Sequence, residues 1–325
     1  AVRGAQPDRG HRHHPGHAAH EDDAVSVVTD IAITPEPESV TTTSRRSGSV
    51  LRDALRLWRT RIGLVLVIGL TLLAGAGPFF APHSPTDFAG PPFSTPSSAA
   101  RFGTDYLGQD VLSRFLWGGR EILVMAVLAT AFGIILGAIV GLLAAYSRNW
   151  LDDVLMRGMD VILAFPQIML ALVAIATVGP KPWLIVLAVG LTTLPRVARV
   201  TRGAAQPIVA RDFVASAEAL GVPRIRILGR ELLPNILSPL MVEVSLRLTY
   251  SIGLIAGLAF LGFATSTNGA NWGTMINQNR VAVQAQPWGV VLPVIAIALL
   301  TIGTGLVGDG ISRAAAGIDR GRSTA

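Results

Sequence analysis

The chain contains no cysteine, which excludes disulfides, thiol catalysis and cysteine-based metal sites and leaves the compartment open. Its single lysine, Lys181, is not part of a G-x-x-x-x-G-K-[ST] run. The chain therefore carries no Walker-type phosphate cradle, and any ATP hydrolysis belongs to a partner. No histidine follows His83, and neither G-x-S-x-G nor H-E-x-x-H occurs. An intramembrane protease of the rhomboid type, which needs a membrane-embedded serine and histidine, lacks its residues here. Charge is also scarce. Charged residues make up 15% of the chain and hydrophobic ones 50%, against about 25% charged in a typical soluble domain. That balance suits long lipid-facing stretches better than a water-soluble core. A net charge of +6 would ordinarily raise the question of nucleic acid. Here the arginines sit between apolar runs rather than on one amphipathic face, so membrane topology accounts for them and no nucleic-acid partner is expected.

Residues 1–48 are polar and hold five of the six histidines, His11, His13, His14, His17 and His20. They read as a low-complexity, disordered tail, with no ordered ligand spacing for a metal. The first methionine is Met125 and the first apolar run begins near Ile62, so no signal peptide is evident. Residues 49–61 form a basic stretch before the first span, residues 62–315 the transmembrane domain, and residues 316–325 a short C-terminal tail.

Six apolar runs are long enough to cross a hydrocarbon core of roughly 30 Å, which takes about 20 helical residues. They cover Ile62–Ala81, Ile122–Tyr146, Val154–Val178, a run from Trp183 past Pro195, Ile236–Phe263 and Trp288–Ile311. The fourth loses its purely apolar character at Leu194 and reads as a helix that continues beyond the membrane. Arginines cluster before the first span, between the second and third, between the fourth and fifth, and after the sixth. The positive-inside rule then places both termini in the cytoplasm, as an even number of spans requires. The expected fold is an all-α integral membrane protein with six transmembrane helices.

Gly133, Gly137 and Gly141 recur at four-residue spacing in the second span, extended by Ala129 and Ala145. Such a ridge lets helix backbones approach closely, either within the subunit or between subunits. Pro166 and Pro293 should bend the third and sixth spans.

The stretch between the fourth and fifth spans is too polar to cross. Ala215, Ala217, Ala219 and Leu220 favour a helix, Gly221 terminates it, and Pro223 prevents direct continuation. A second short helix is expected over Ile225–Leu233, stopped by Pro234. The first helix suits either docking into a groove of another protein, with Phe213 and Leu220 as anchors, or lying on lipid headgroups. On the opposite side, Gly103-Thr104-Asp105 and Gly108-Gln109-Asp110 are turn-like, and an Asp or Thr there can cap a short helix over Val111–Leu116. This loop, with Arg114, is either purely structural or part of a docking surface. Charges near the spans form pairs: Asp160 three residues after Arg157, and Glu243 four residues before Arg247. Each pair either neutralises itself or lines a pathway or gate, as do the adjacent Phe165 and Pro166 in the latter case.

Phe213-Val-Ala-Ser-Ala-Glu-Ala-Leu-Gly221, followed by Leu233-Pro234-Asn235, resembles the EAA motif of ABC importer permeases. Gly221 matches the motif glycine and Ala217 its second alanine. The family's glutamate falls on Ala215 and its first alanine on Ser216, with Glu218 one turn further along. A second match, Phe102-Gly-Thr-Asp-Tyr-Leu-Gly-Gln-Asp-Val-Leu-Ser-Arg114 followed by Gly119-Arg120, is similar to the signature of dipeptide, oligopeptide and nickel permeases. There Gln109 stands in place of the usual arginine. Ala164-Phe165-Pro166, Phe260-Leu-Gly-Phe263 and Gly308-Asp309-Gly310 extend the resemblance, in order, over about residues 60 to 315. The long loop from Pro82 to Arg120 is similar to that of the second, "C"-type permease of the heterodimer.

The resemblance implies a type I importer permease fold. Its residues Phe213, Ala215, Ser216, Ala217, Glu218, Ala219, Leu220 and Gly221 would form the coupling helix. It also implies four kinds of partner: a second homologous permease, two ATP-binding subunits carrying ATP and magnesium, an external substrate-binding lipoprotein or periplasmic protein, and membrane lipid. The chain itself would hold no cofactor or metal and would lie in a bacterial plasma membrane. The implied cargo is a dipeptide or oligopeptide, with nickel and glutathione as alternatives. A self-sufficient secondary transporter or channel is the remaining rival. Such proteins often show two related halves and midplane charge; no segment here recurs as a second copy.

Overall fold

The computed structural model describes residues 47–147, 150–265 and 269–316, and no β-strand occurs among them. The expected tails over 1–48 and 316–325 fall outside these residues, save for Ser47, Gly48 and Ala316. Ten helices carry the architecture: α1 (Ser47–Arg56), α2 (Trp58–Phe80), α3 (Val111–Tyr146), α4 (Trp150–Leu163), α5 (Gln167–Val178), α6 (Pro182–Val209), α7 (Asp212–Ala219), α8 (Leu237–Leu258), α9 (Trp272–Asn279) and α10 (Trp288–Ala316). Between α7 and α8 runs a chain of short turns, Arg224–Arg226, the π-helical Ile227–Leu232, and Leu233–Asn235.

The chain is a multi-pass membrane protein. Five helices, α2, α3, α6, α8 with its π-helical extension to Phe263, and α10, are long and apolar enough to cross a bilayer. The pair α4 and α5 passes the same test as one span bent by 79°. The bend follows from Pro166, which has no N–H to continue the ladder and pushes the residue before it out of helical conformation. The expected bend in the Val154–Val178 span is thus a full break between two helices.

Two further expectations are corrected. Residues 111–116 do not form a separate surface helix. They are the first turns of α3, which at 36 residues extends about 54 Å and overshoots the hydrocarbon core. The glycine pair that could have ended the first helix is filled instead: a Cβ on Gly118 would come within 2.9 Å of the Trp272 ring, and one on Gly119 within 2.8 Å of Ala74 Cβ. Nor does Pro234 stop a helix. It sits in the first turn of Leu233–Asn235, where a missing N–H costs little, and Ile236 leads directly into α8.

Packing is built on the glycine ridge of α3 against α6. A Cβ on Gly133 would lie 2.9 Å from Gly190 O, on Gly137 2.6 Å from Val197 Cβ, and on Gly141 2.6 Å from Thr201 Cβ. The ridge thus serves contact within the subunit. Around it lies one apolar cluster that includes Ile122, Met125, Ala129, Ile175, Val189, Ile252, Trp272 and Leu300. A second cluster joins Ala138, Leu142, Ala145, Val197 and Ala205 to Val214, Ile227, Leu232, Ile236 and Leu240. It fastens α7 and the following turns to the ends of α3 and α6. The basic stretch before the first span forms α1, and Ala54 of α1 is buried with Ala314 of α10.

Candidate functional site

The helix α7 is short, and tertiary contacts hold it rather than propensity. Val214 is fully buried and Ala217 packs beside it, whereas Phe213, Ala215, Ser216, Glu218, Ala219 and Leu220 face outward. Leu220 is 83% exposed. The helix ends in a Schellman arrangement: the N–H of Val222 donates to Ala217 O at 3.1 Å and that of Gly221 to Glu218 O at 3.0 Å. Gly221 takes φ +72°, which a residue with a Cβ rarely adopts. Val222 and Ala217 share the apolar cluster beneath, the contact that usually accompanies this cap. Behind α7 lies a cavity of about 620 Å³ lined by Leu143, Tyr146, Leu151, Glu218, Val222 and Leu228. The elbow expected from Gly221-Val222-Pro223 is present, and the helix before it exposes Ala215, Ser216 and Ala219 between the larger Phe213, Glu218 and Leu220.

At the other end of the bundle, the residues singled out in the long loop point inward. Gly103 and Gly108 have φ +75° and +76°. A Cβ on either would strike the backbone opposite, Ser94 O and Gly90 O respectively. Thr104 Oγ1 accepts from the Ser94 N–H at 2.9 Å. Asp105 Oδ1 accepts from the N–H groups of Leu107 (2.9 Å) and Gln109 (2.8 Å), and its Oδ2 is ion-paired with Arg114. Asp110 caps α3, with Oδ2 accepting from Ser113 N at 3.0 Å and Ser113 Oγ at 2.6 Å. The second nitrogen of Arg114 reaches Gly269 O and Gln278 Oε1, so α3 is tied to the segment that carries α9. Glu121, which sequence reading passed over, acts as a hub, accepting from Thr265 N at 2.8 Å and Asn271 Nδ2 at 2.6 Å. Trp272 Nε1 donates to Phe115 O at 2.8 Å. These residues build a scaffold. The large apolar side chains that the loop exposes are Phe88 and Leu107.

The charges within the spans are arranged in two groups. Asp160 does not pair with Arg157 on its own helix; its partner is Arg199 of α6. Arg202, one turn along α6, donates from Nε (2.7 Å) and Nη2 (2.6 Å) to the two oxygens of Asp152. Arg196, one turn in the other direction, finds the amide oxygen of Gln167 at 2.9 and 3.2 Å. Three arginines at three-residue spacing thus hold the broken span, one below the bend, one near it and one just beyond it. Phe165 and Pro166 at the bend are exposed. The second group is the expected pair on α8, where Arg247 Nε donates to Glu243 Oε2 at 2.8 Å. Sequence spacing reveals only this pair, because the partners of Asp152 and Asp160 lie 50 and 39 residues away.

Among the described residues there is no group of three or more His, Asp or Glu that could hold a metal ion, and no constellation suited to covalent chemistry.

Comparison with known proteins agrees in scale and register. The profile described as "Binding-protein-dependent transport system inner membrane component" matches residues 133–316. A Brucella suis biovar 1 permease protein named for a peptide transport system is 35% identical over 266 residues, covering 81% of this chain and 90% of its own. The dipeptide transport system permease protein of Alkalihalophilus pseudofirmus is 30% identical over 289 residues, 86% of this chain and 94% of its own. The glutathione transport system permease protein of Pectobacterium atrosepticum is 36% identical over 216 residues, 66% and 72% respectively.

Proposed function

Because the chain belongs to the family of inner membrane components of binding-protein-dependent transport systems, we propose that it is one permease subunit of an ATP-driven importer of dipeptides or oligopeptides. In this reading residues 62–315 form half of the transmembrane pathway, a second permease forms the other half, and two ATP-binding subunits supply hydrolysis with their own ATP and magnesium. An external binding protein delivers the cargo. The chain is not an enzyme and carries no cofactor. It lies in a bacterial plasma membrane with both termini cytoplasmic, which puts α7 on the side of the ATPases.

The observation that carries this reading is the outward face of α7. A helix anchored by Val214 and closed by Gly221, yet presenting Ala215, Ala219 and exposed Leu220, is built for close approach by another protein. ATP-driven movement of the ATPases would reach the pathway through the apolar cluster that joins α7 to α3, α6 and the start of α8. The peptide cargo rests on the names of the relatives, among which the Pectobacterium protein supports glutathione, itself a small peptide, as a second reading. The test is reconstitution of both permeases and both ATP-binding subunits in proteoliposomes, supplied with the binding protein, with Ala219→Trp on the outward face of α7. Uncoupling of ATP hydrolysis from dipeptide uptake is expected. Coupling equal to that of the unmodified complex would overturn the docking role.

A further inference from the structure

Where Arg196 of α6 and Arg247 of α8 approach the Tyr250 ring lies a charge arrangement that goes beyond the brace on the broken span. Arg247 is 7% exposed and so is Glu243. Their single hydrogen bond uses Arg247 Nε and leaves Arg247 Nη1 buried with no acceptor. One turn further along α8, Tyr250 is 55% exposed. Its ring centre lies 5.3 Å from the Arg247 guanidinium carbon and 5.9 Å from that of Arg196 on α6. Arg196 has only the neutral Gln167 amide as a hydrogen-bond acceptor. Two guanidiniums therefore lie against one aromatic ring, and only that of Arg247 has a carboxylate partner, Glu243.

This arrangement carries two unfavourable features. A buried N–H donor without an acceptor costs about 1–3 kcal/mol. A guanidinium without a carboxylate partner is also unfavourable on a helix face turned toward hydrocarbon. The second argues that the face bearing Tyr250 looks onto water or protein rather than hydrocarbon. Both are relieved by the same thing, an anionic acceptor that arrives from outside the chain. Arg247 Nη1 is positioned to donate to it, Arg196 supplies the uncompensated charge, and the exposed Tyr250 ring and hydroxyl give it a wall.

We propose that Arg196, Tyr250 and Arg247 form a transient binding site for a carboxylate of the cargo on the transport path. The proposal rests on the importer reading above and narrows its cargo. A small molecule with a free carboxylate, such as a dipeptide or glutathione, is attracted, and a bare divalent cation such as nickel is repelled. Glu243 has a positioning role: it holds Arg247 by Nε, which directs the remaining N–H groups away from it.

The test uses the complete transporter in proteoliposomes, with binding protein at saturation, and compares uptake of labelled Ala-Ala with that of its C-terminal amide. The unmodified complex should move the free acid about tenfold faster than the amide, the ratio expected when one charge-assisted hydrogen bond of about 1.5 kcal/mol is lost. Arg196→Gln should bring the ratio of acid to amide uptake to about one, while Arg196→Lys should keep most of the preference. Arg247→Gln combined with Glu243→Gln, which removes the pair without leaving a bare buried charge, should do the same as Arg196→Gln. If Arg196→Gln lowers both substrates equally, the residue only braces α5 and the site is overturned. Wild-type acid uptake by Arg196→Gln, or equal rates for acid and amide in the unmodified complex, also overturns the site while leaving the importer reading standing. An unmodified complex that moves neither peptide overturns both.

Discussion

Asp105 and Arg114 form an ion pair closed off from water, with side-chain exposures of 0% and 2%. The carboxylate also accepts two backbone N–H groups, and the guanidinium bridges to Gly269 and Gln278. The pair therefore locks the long loop, the start of α3 and the segment before α9 to one another. Removing one partner leaves a buried charge uncompensated, which costs about 3–5 kcal/mol. Arg114→Met is expected to lower the thermal unfolding midpoint of the detergent-solubilised protein markedly, and Arg114→Met with Asp105→Asn should lose less. Equal losses in the two variants would show that the charge is not what matters.

The brace between Arg202 and Asp152 is bidentate, at 2.7 and 2.6 Å. Charge-assisted hydrogen bonds of this kind contribute about 1.5–3 kcal/mol. Asp152→Arg and Arg202→Asp should each destabilise the protein, and the double exchange should recover a substantial part of the loss. A double variant as unstable as the sum of the singles would mean that the two residues are not coupled.

On the α3 ridge, Gly137→Leu has nowhere to place its side chain, because even a Cβ would lie 2.6 Å from Val197 Cβ. Overpacking of this kind costs about 1–3 kcal/mol. Gly75 of α2, whose Cβ would meet nothing, is the matched control, and Gly75→Leu should be near neutral in thermal unfolding.

Leu220 stands clear of the fold, so Leu220→Asp should change stability by no more than about 0.5 kcal/mol. As an interface anchor its loss should weaken coupling of ATP hydrolysis to uptake about tenfold or more. The two measurements together separate a docking residue from a structural one.

The turn at Gly221 requires φ +72°. Gly221→Val should destabilise the α7 cap by at least about 1–2 kcal/mol, whereas Gly221→Asn, which tolerates this region, should be milder. Amide hydrogen exchange over residues 212–222 is the direct readout: protection should fall in the order Gly, Asn, Val.

Patterns that are local in the chain were legible in the sequence. The six apolar runs correspond to the five spanning helices and the broken pair. The spacing of Gly133, Gly137 and Gly141 marked a close helix contact, and Gly221-Val222-Pro223 marked an elbow. Glu243 and Arg247 were legible because four residues make one turn. By the same reasoning Asp160 was matched with Arg157, its neighbour at three residues, and this was wrong. The choice of Arg199 instead depends on α6 lying alongside α4, and nothing local encodes that. Gln167 is a similar case. As the first residue of α5 it has no special look in sequence, and it matters because the break at Pro166 aims it at Arg196.

The sequence by itself located the apolar runs that became the spanning helices and the broken pair, the close-packing glycine ridge, and the polar elbow. Apolar length, turn residues and residue inventory act over a few neighbours, so no tertiary contact is needed to read them. Only the tertiary structure decided how the loop signature is used, which carboxylate meets which arginine, and that Arg196 and Arg247 share the ring of Tyr250. Those outcomes depend on helices far apart in the chain coming within hydrogen-bonding distance. In a low-dielectric interior, that meeting determines whether a charge is neutralised or left open to bind something else.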